Sequence, residues 1–123
     1  MKTVRKSTKN TEFAEFVTEQ MALFGSTITK AMFGGFGIYR DDLVFAIIVD
    51  DKLYFKVDAT SVDEFTRLGL LPFTYEARGK RISMSYYEAP AEVFEDQQEM
   101  AVWSKKAYQS ALKAKKPKTR QRD

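Results

Sequence analysis

From Phe13 onward the apolar positions Phe13, Phe16, Val17, Met21 and Phe24 recur at three- and four-residue steps, the spacing of one helical face. Thr11 can cap the first turn, Glu12 and Glu15 suit the positive end of the helix dipole, and Gly25 follows the last apolar position. A first helix over 11–24 is predicted. The period then changes. Ile28–Tyr39 is rich in β-formers but broken by Gly34, Gly35 and Gly37, which reads as one bulged, strongly bent strand. Arg40-Asp41-Asp42 is a turn, Leu43–Val49 a continuous apolar run, Asp50-Asp51 a second turn, and Lys52–Val57 alternates with Leu53, Phe55 and Val57 on one face. Tight turns between adjacent runs predict an antiparallel meander. Its middle strand, apolar on both faces, belongs at the centre of the sheet with a cover on each side.

Ser61 and Glu64 have capping-box spacing, so a second helix opens there, with Val62, Phe65 and Leu68 inward and Gly69 at its end. Pro72–Ala77 is extended, Arg78-Gly79 is a turn, and in Lys80–Tyr87 the residues Ile82, Met84 and Tyr86 alternate against Arg81, Ser83, Ser85 and Tyr87. Pro90 stops that strand. Asp96 begins a last helix whose inner stripe is Met100, Trp103, Ala107 and Ala111. The order α-β-β-β-α-β-β-α predicts an α+β, two-layer fold: about five antiparallel strands with helices on one face.

Composition narrows the chemistry. The chain of 123 residues is long enough for one domain, and eleven of its seventeen aromatics fall between Phe33 and Tyr87. Its longest apolar run is seven residues, far short of the roughly 20 a membrane helix needs, and no signal-like region follows the basic start. A cytoplasmic protein without membrane contact is expected. With no cysteine and no histidine, disulfides, thiolate or imidazole metal sites, a Cys nucleophile and a His general base are all excluded. No cofactor and no enzymatic activity are expected. The adjacent acids Asp41-Asp42, Asp50-Asp51, Asp63-Glu64 and Glu95-Asp96 sit at turns and helix starts, where they diverge or cap rather than converge on a substrate.

The net charge of +3 is unevenly spread. Lys2, Arg5, Lys6 and Lys9 give residues 1–10 a charge of +4, a flexible basic arm; residues 104–123 carry +7 and residues 11–103 carry −8. The domain is expected over 11–114, with a disordered basic tail at 115–123. DNA contact, if any, falls to the ends, through Lys2, Arg5, Lys6, Lys9, Lys113, Lys115, Lys116, Lys118, Arg120 and Arg122. The other reading of these ends is solubility alone.

Two further surfaces are candidate sites. Gly34, Gly35 and Gly37 allow close backbone approach, and with the basic Arg78, Lys80 and Arg81 they form a candidate binding loop; a bent strand and a solvated turn are the structural alternatives. Tyr39, Tyr54, Tyr86 and Tyr87 are candidates for an exposed sheet-face patch that docks a partner or a second copy as a homodimer.

The segment Met32–Tyr39, followed by Leu43–Val49 and Leu53–Val57, resembles the opening of the N-terminal domain of the TfoX/Sxy competence-regulator family. Pro72–Tyr75, Gly79–Tyr87, Pro90 and a helix containing Trp103 resemble its second half, so the likeness runs from about Phe13 to Ala114. The resemblance implies a secretion-chaperone-like α+β fold and no enzymatic activity. It also implies a regulator that switches on natural-transformation genes in bacteria by assisting the cyclic-AMP receptor protein at a subset of promoters. A bacterial, non-enzymatic regulatory protein acting through protein contacts, with its basic ends as a DNA contact, is the first expectation; about ten Lys/Arg-rich residues stand where full-length regulators carry a second, helical domain, so a stand-alone accessory is expected equally with a competence role. A small-ligand or peptide module with no nucleic-acid contact is the alternative.

Overall fold

A computed structural model describes residues 8–32 and 34–115, and the side chains of these except 8–10 and 81–83. Helix α1 spans Thr8–Gln20 and continues as a 3-10 turn, Met21–Leu23. It thus begins within the segment expected to be an arm, and Thr11 lies inside it. Strands β1 (Ile28–Met32), β2 (Gly35–Arg40), β3 (Leu43–Val49) and β4 (Lys52–Lys56) precede helix α2 (Val62–Arg67). Strands β5 (Pro72–Ala77) and β6 (Lys80–Glu88), a 3-10 turn at Ala91–Phe94 and helix α3 (Gln97–Lys115) complete the order.

The sheet has six antiparallel strands in the order β1-β2-β3-β4-β6-β5, one more than the sequence pattern predicts. The extra strand comes from Ile28–Tyr39, which folds as a hairpin and not as one bent strand. Met32 pairs with Gly35, and Gly34 supplies the positive φ of +80° at the reversal. The bulge lies further on, between Ile38 and Tyr39. The other three hairpins reverse through Asp41-Asp42, Asp50-Asp51 and Arg78-Gly79, each pair with both φ positive. That is the two-residue turn whose twist matches paired strands, and aspartate tolerates it better than most residues.

All three helices lie on one face of the sheet. Met100, Trp103, Ala107 and Ala111 of α3, Val17 of α1 and Phe65 of α2 enclose Phe45, Ile48, Leu53 and Phe55, forming the main core as the sequence pattern expects. Each fully buried phenylalanine contributes about 1.5–3 kcal/mol. Two expected inward residues are not inward: Phe16 is 40% exposed and Leu68 is 55% exposed. α2 ends after barely two turns, and Gly69 (φ +77°) turns the chain so that Leu70 N–H reaches the Phe65 carbonyl at 3.0 Å, carrying Leu68 outward.

The start of α2 is also held differently from the expected capping box. Asp58, not Ser61, accepts from the backbone N–H groups of Thr60 and Ser61 at 2.8 and 3.0 Å. Ser61 Oγ is turned back to accept from the Asp58 N–H at 3.0 Å, and Glu64 leaves the cap to pair with Lys106 of α3 at 3.0 Å.

A candidate protein-docking surface

The sheet face away from the helices is built by strand alternation. On β4 the residues Leu53 and Phe55 point into the main core, so Lys52, Tyr54 and Lys56 point the other way. The same parity puts Met84 and Tyr86 of β6 and Phe73 and Tyr75 of β5 on this second face, and the register shift of the β2–β3 pairing, which skips Phe45, brings Val44 of β3 to the same face as Ile47. Ile47, Phe73 and Tyr86 form a separate buried cluster there, with Met32, Val44, Val49, Tyr54 and Met84 packed around it. No helix residue among those described joins it. β3 is therefore apolar on both faces, as its sequence implies, but only one face is roofed by helices.

The rings interlock along the face. Tyr54 meets Phe73 edge-on at 5.1 Å between centroids, and Phe73 stacks on Tyr75 at 6.3 Å. Tyr75 is 42% exposed. Lys30 Nζ lies 4.6 Å from the Tyr39 ring centroid and Lys56 Nζ lies 5.2 Å from that of Tyr86. Burial, with a smaller contribution from Tyr39, pushes the Tyr86 phenol up to about 12. The Tyr54 phenol is also raised, first by burial and then by Glu88 and Asp50. These hydroxyls stay neutral at physiological pH.

Of the expected patch, Tyr39, Tyr54 and Tyr86 share this face, whereas Tyr87 does not. It follows Tyr86 on one strand, so it points to the helices and packs against Phe65 at 6.0 Å. Tyr86 itself is buried at 6% exposure, a foundation of the patch and not its surface. Lys30, Lys52, Lys56, Phe73 and Tyr75 also belong to the face, and for Lys52 and Lys56 the signal in the sequence is their parity with Tyr54.

The candidate binding loop is divided. The β1–β2 reversal at Gly34 shares an end of the sheet with the Asp50-Asp51 turn, while the Arg78-Gly79 turn and Lys80 lie at the other end and opposite edge. The Arg81 side chain lies outside the described residues. Gly35 and Gly37 are buried for packing: a Cβ on Gly35 would meet the Ile48 carbonyl oxygen, and one on Gly37 would meet Met32 Sδ at 2.5 Å and Tyr39 Cε1 at 3.1 Å.

Among the candidate DNA contacts, Lys2, Arg5, Lys6, Lys116, Lys118, Arg120 and Arg122 lie outside the described residues, as does the Lys9 side chain. Lys115 is exposed at the end of α3. Lys113 is committed to the fold, 3.3 Å from Asp58 and donating to Thr60 Oγ1 at 3.2 Å. No cluster of acidic side chains among the described residues could hold a metal, and none of the described helices is long and apolar enough to cross a membrane.

An antiparallel sheet with helices on one face and an aromatic-lined opposite face defines the architectural class. Residues 19–111 match the model of the TfoX N-terminal domain, and the chain belongs to that family. It is 28% identical to Protein Sxy of Escherichia coli (strain K12) over 105 residues, 85% of this chain and 50% of that protein. It is 34% identical over 68 residues to the DNA transformation protein TfoX of Haemophilus influenzae, 54% of this chain and 31% of that one. The chain therefore spans half or less of the length of these relatives. The family anticipated from the glycine-rich segment and the Pro72–Tyr87 region is the family found.

Proposed function

We propose that the chain is a non-enzymatic regulatory protein of the bacterial cytoplasm that acts by docking a protein partner on its helix-free sheet face. The observation that carries this reading is the second apolar cluster, Ile47, Phe73 and Tyr86 ringed by Met32, Val44, Tyr54 and Met84, which none of the described helices covers. Aromatic and methionine side chains at the centre with lysines around them is the composition of a protein interface. The likeness to the DNA transformation protein TfoX supports a role on the side of DNA transformation, and the partner proposed is a transcription factor such as the cyclic-AMP receptor protein. The basic ends then serve as an auxiliary DNA contact. The small-ligand alternative draws less support, because the glycine segment and the Arg78 turn do not converge.

The test is a titration of the labelled chain with purified cyclic-AMP receptor protein bound to promoter DNA. Binding should survive removal of residues 1–7 and 116–123 with a modest loss, and should be lost in Tyr75→Glu/Lys30→Glu. Both substituted positions are exposed, so folding is retained, and thermal melting checks it. Binding that ignores the sheet-face variant and vanishes with the ends would overturn the docking reading.

A further inference from the structure

We infer that the partner segment received by this face is acidic at its edges and apolar at its centre, an inference that rests on the docking reading above. Charge in this molecule is sorted by layer. Glu12, Glu15 and Glu19 stand on α1, Asp63 and Glu64 on α2, and Glu92, Glu95, Asp96 and Glu99 around the start of α3. On the helix-free face, strand parity places Lys30, Lys52, Lys56 and Lys80. Among the described residues the acid those strands set against them is Glu88. It is already engaged, accepting the Leu71 N–H at 3.1 Å and lying 3.9 Å from Lys52. Asp50 and Asp51 border one end of the face, in the β3–β4 turn. Asp41 and Asp42 border the other end, in the β2–β3 turn; nine of the sixteen acids of residues 11–103 thus stand on the helix side, while the helix-free face itself carries four lysines against Glu88.

The positions of the ammonium groups narrow the partner further. Lys30 lies over the Tyr39 ring and Lys56 over the Tyr86 ring, so each cation is seated on an aromatic ring of this face. Their remaining N–H groups are suited to carboxylates. Between and beneath them Met32, Val44, Ile47 and Met84 offer aliphatic and thioether surface, which accepts leucine or aromatic side chains and has no use for a phosphate backbone. A second copy of the same face would bring lysine against lysine. An acidic protein segment with an apolar centre satisfies both the charge and the surface.

The probes are two short fluorescent peptides, each with leucine and tryptophan at the centre, one flanked by glutamates and the other by lysines; a thymidine oligonucleotide is the third ligand. Anisotropy gives affinity, amide chemical shifts give location, and sedimentation of the intact chain gives its oligomeric state. The glutamate-flanked peptide should bind with shifts confined to residues of the helix-free face, Lys30, Ile47, Lys56 and Tyr75 among them, and should weaken about tenfold from low to physiological ionic strength. Lys30→Glu/Lys56→Glu should weaken it about tenfold again and reverse the preference between the peptides. Equal binding of both peptides on this face would overturn the acidic assignment while leaving docking intact. A preference for the oligonucleotide, or a dimer through this face, would overturn it as well. Absence of shifts on the face with every ligand, together with indifference of receptor binding to Tyr75→Glu/Lys30→Glu, would remove the docking reading itself.

Discussion

Arg40 Nη1 donates to the Phe24 carbonyl oxygen at 3.0 Å, and its guanidinium carbon lies 4.6 Å from the centroid of the same residue's ring. The Tyr108 ring of α3 is 5.6 Å away. One side chain at the end of β2 thus closes the carbonyl end of the first helical segment and binds it to the last helix, where a cation also opposes the helix dipole favourably. An ammonium has neither the flat surface nor the forked donors for this. Arg40→Lys should therefore destabilise by about 1–2 kcal/mol, read as a lower urea midpoint at unchanged slope. An unshifted midpoint would show that the contact contributes nothing.

The glycines of β2 make an ordered prediction. Gly35→Ala places its Cβ against the Ile48 backbone carbonyl, which cannot rotate away, whereas in Gly37→Ala the nearest obstacle is the flexible end of Met32. Gly35→Ala should cost more than about 3 kcal/mol and Gly37→Ala about 1–2 kcal/mol, as overpacking does. Gly34, with open space around it but a φ of +80°, should fall near 1 kcal/mol on substitution by alanine. Thermal melts of the three variants check the order; a Gly34 variant worse than the Gly35 variant would contradict the packing explanation.

Asp58 makes stability depend on pH. Partial burial acts to raise its pKa, but hydrogen bonds from the Thr60 and Ser110 side chains and the backbone N–H groups of Thr60 and Ser61 outweigh it, holding the carboxyl well below the usual carboxylate range. A folded-state pKa below the unfolded value of about 3.9 contributes stability that is full above that pH and is lost as pH falls below it. Asp58→Asn should be less stable than the parent at pH 7, with the gap narrowing as pH falls through about 4 and below. Acid titration of unfolding for both proteins checks this, and a gap independent of pH would contradict it.

Ser104 is fully buried on α3, and among the described residues its hydroxyl has no hydrogen-bond partner. Ser104→Ala should be neutral or stabilising by up to about 1 kcal/mol. Ser110, equally enclosed but 3.3 Å from Ser61 Oγ, should lose stability on the same change. Paired urea titrations read the contrast, and a Ser104 variant as damaged as the Ser110 variant would refute it.

What the sequence conveyed follows from which forces are local. The stripe Met100, Trp103, Ala107 and Ala111 and the alternation of Leu53 and Phe55 repeat with their element's period, so core and helix faces are legible. The hairpin at Gly34 is not, because the apolar residues on both sides continue the β pattern through the turn. The Ser61-Glu64 pair fits a capping box, but Ser61 Oγ turns back to accept from the Asp58 N–H and Lys106 draws Glu64 away, a long-range contact no spacing reveals. Tyr86 and Tyr87 had to point oppositely, yet which faced the helices depends on the β4–β6 register. The lysines of the docking face were read as part of a net charge, whereas the fold sorts that charge by layer.

The most direct measurement is expression of a transformation-gene reporter in a bacterium whose own family member has been deleted. Three forms of the chain are supplied at matched abundance: the parent, Tyr75→Glu/Lys30→Glu, and the chain lacking residues 1–7 and 116–123. The parent and the trimmed chain should activate the reporter, while the sheet-face variant, folded by thermal melting, should leave it at background. Full activation by the sheet-face variant would contradict the role of the helix-free face.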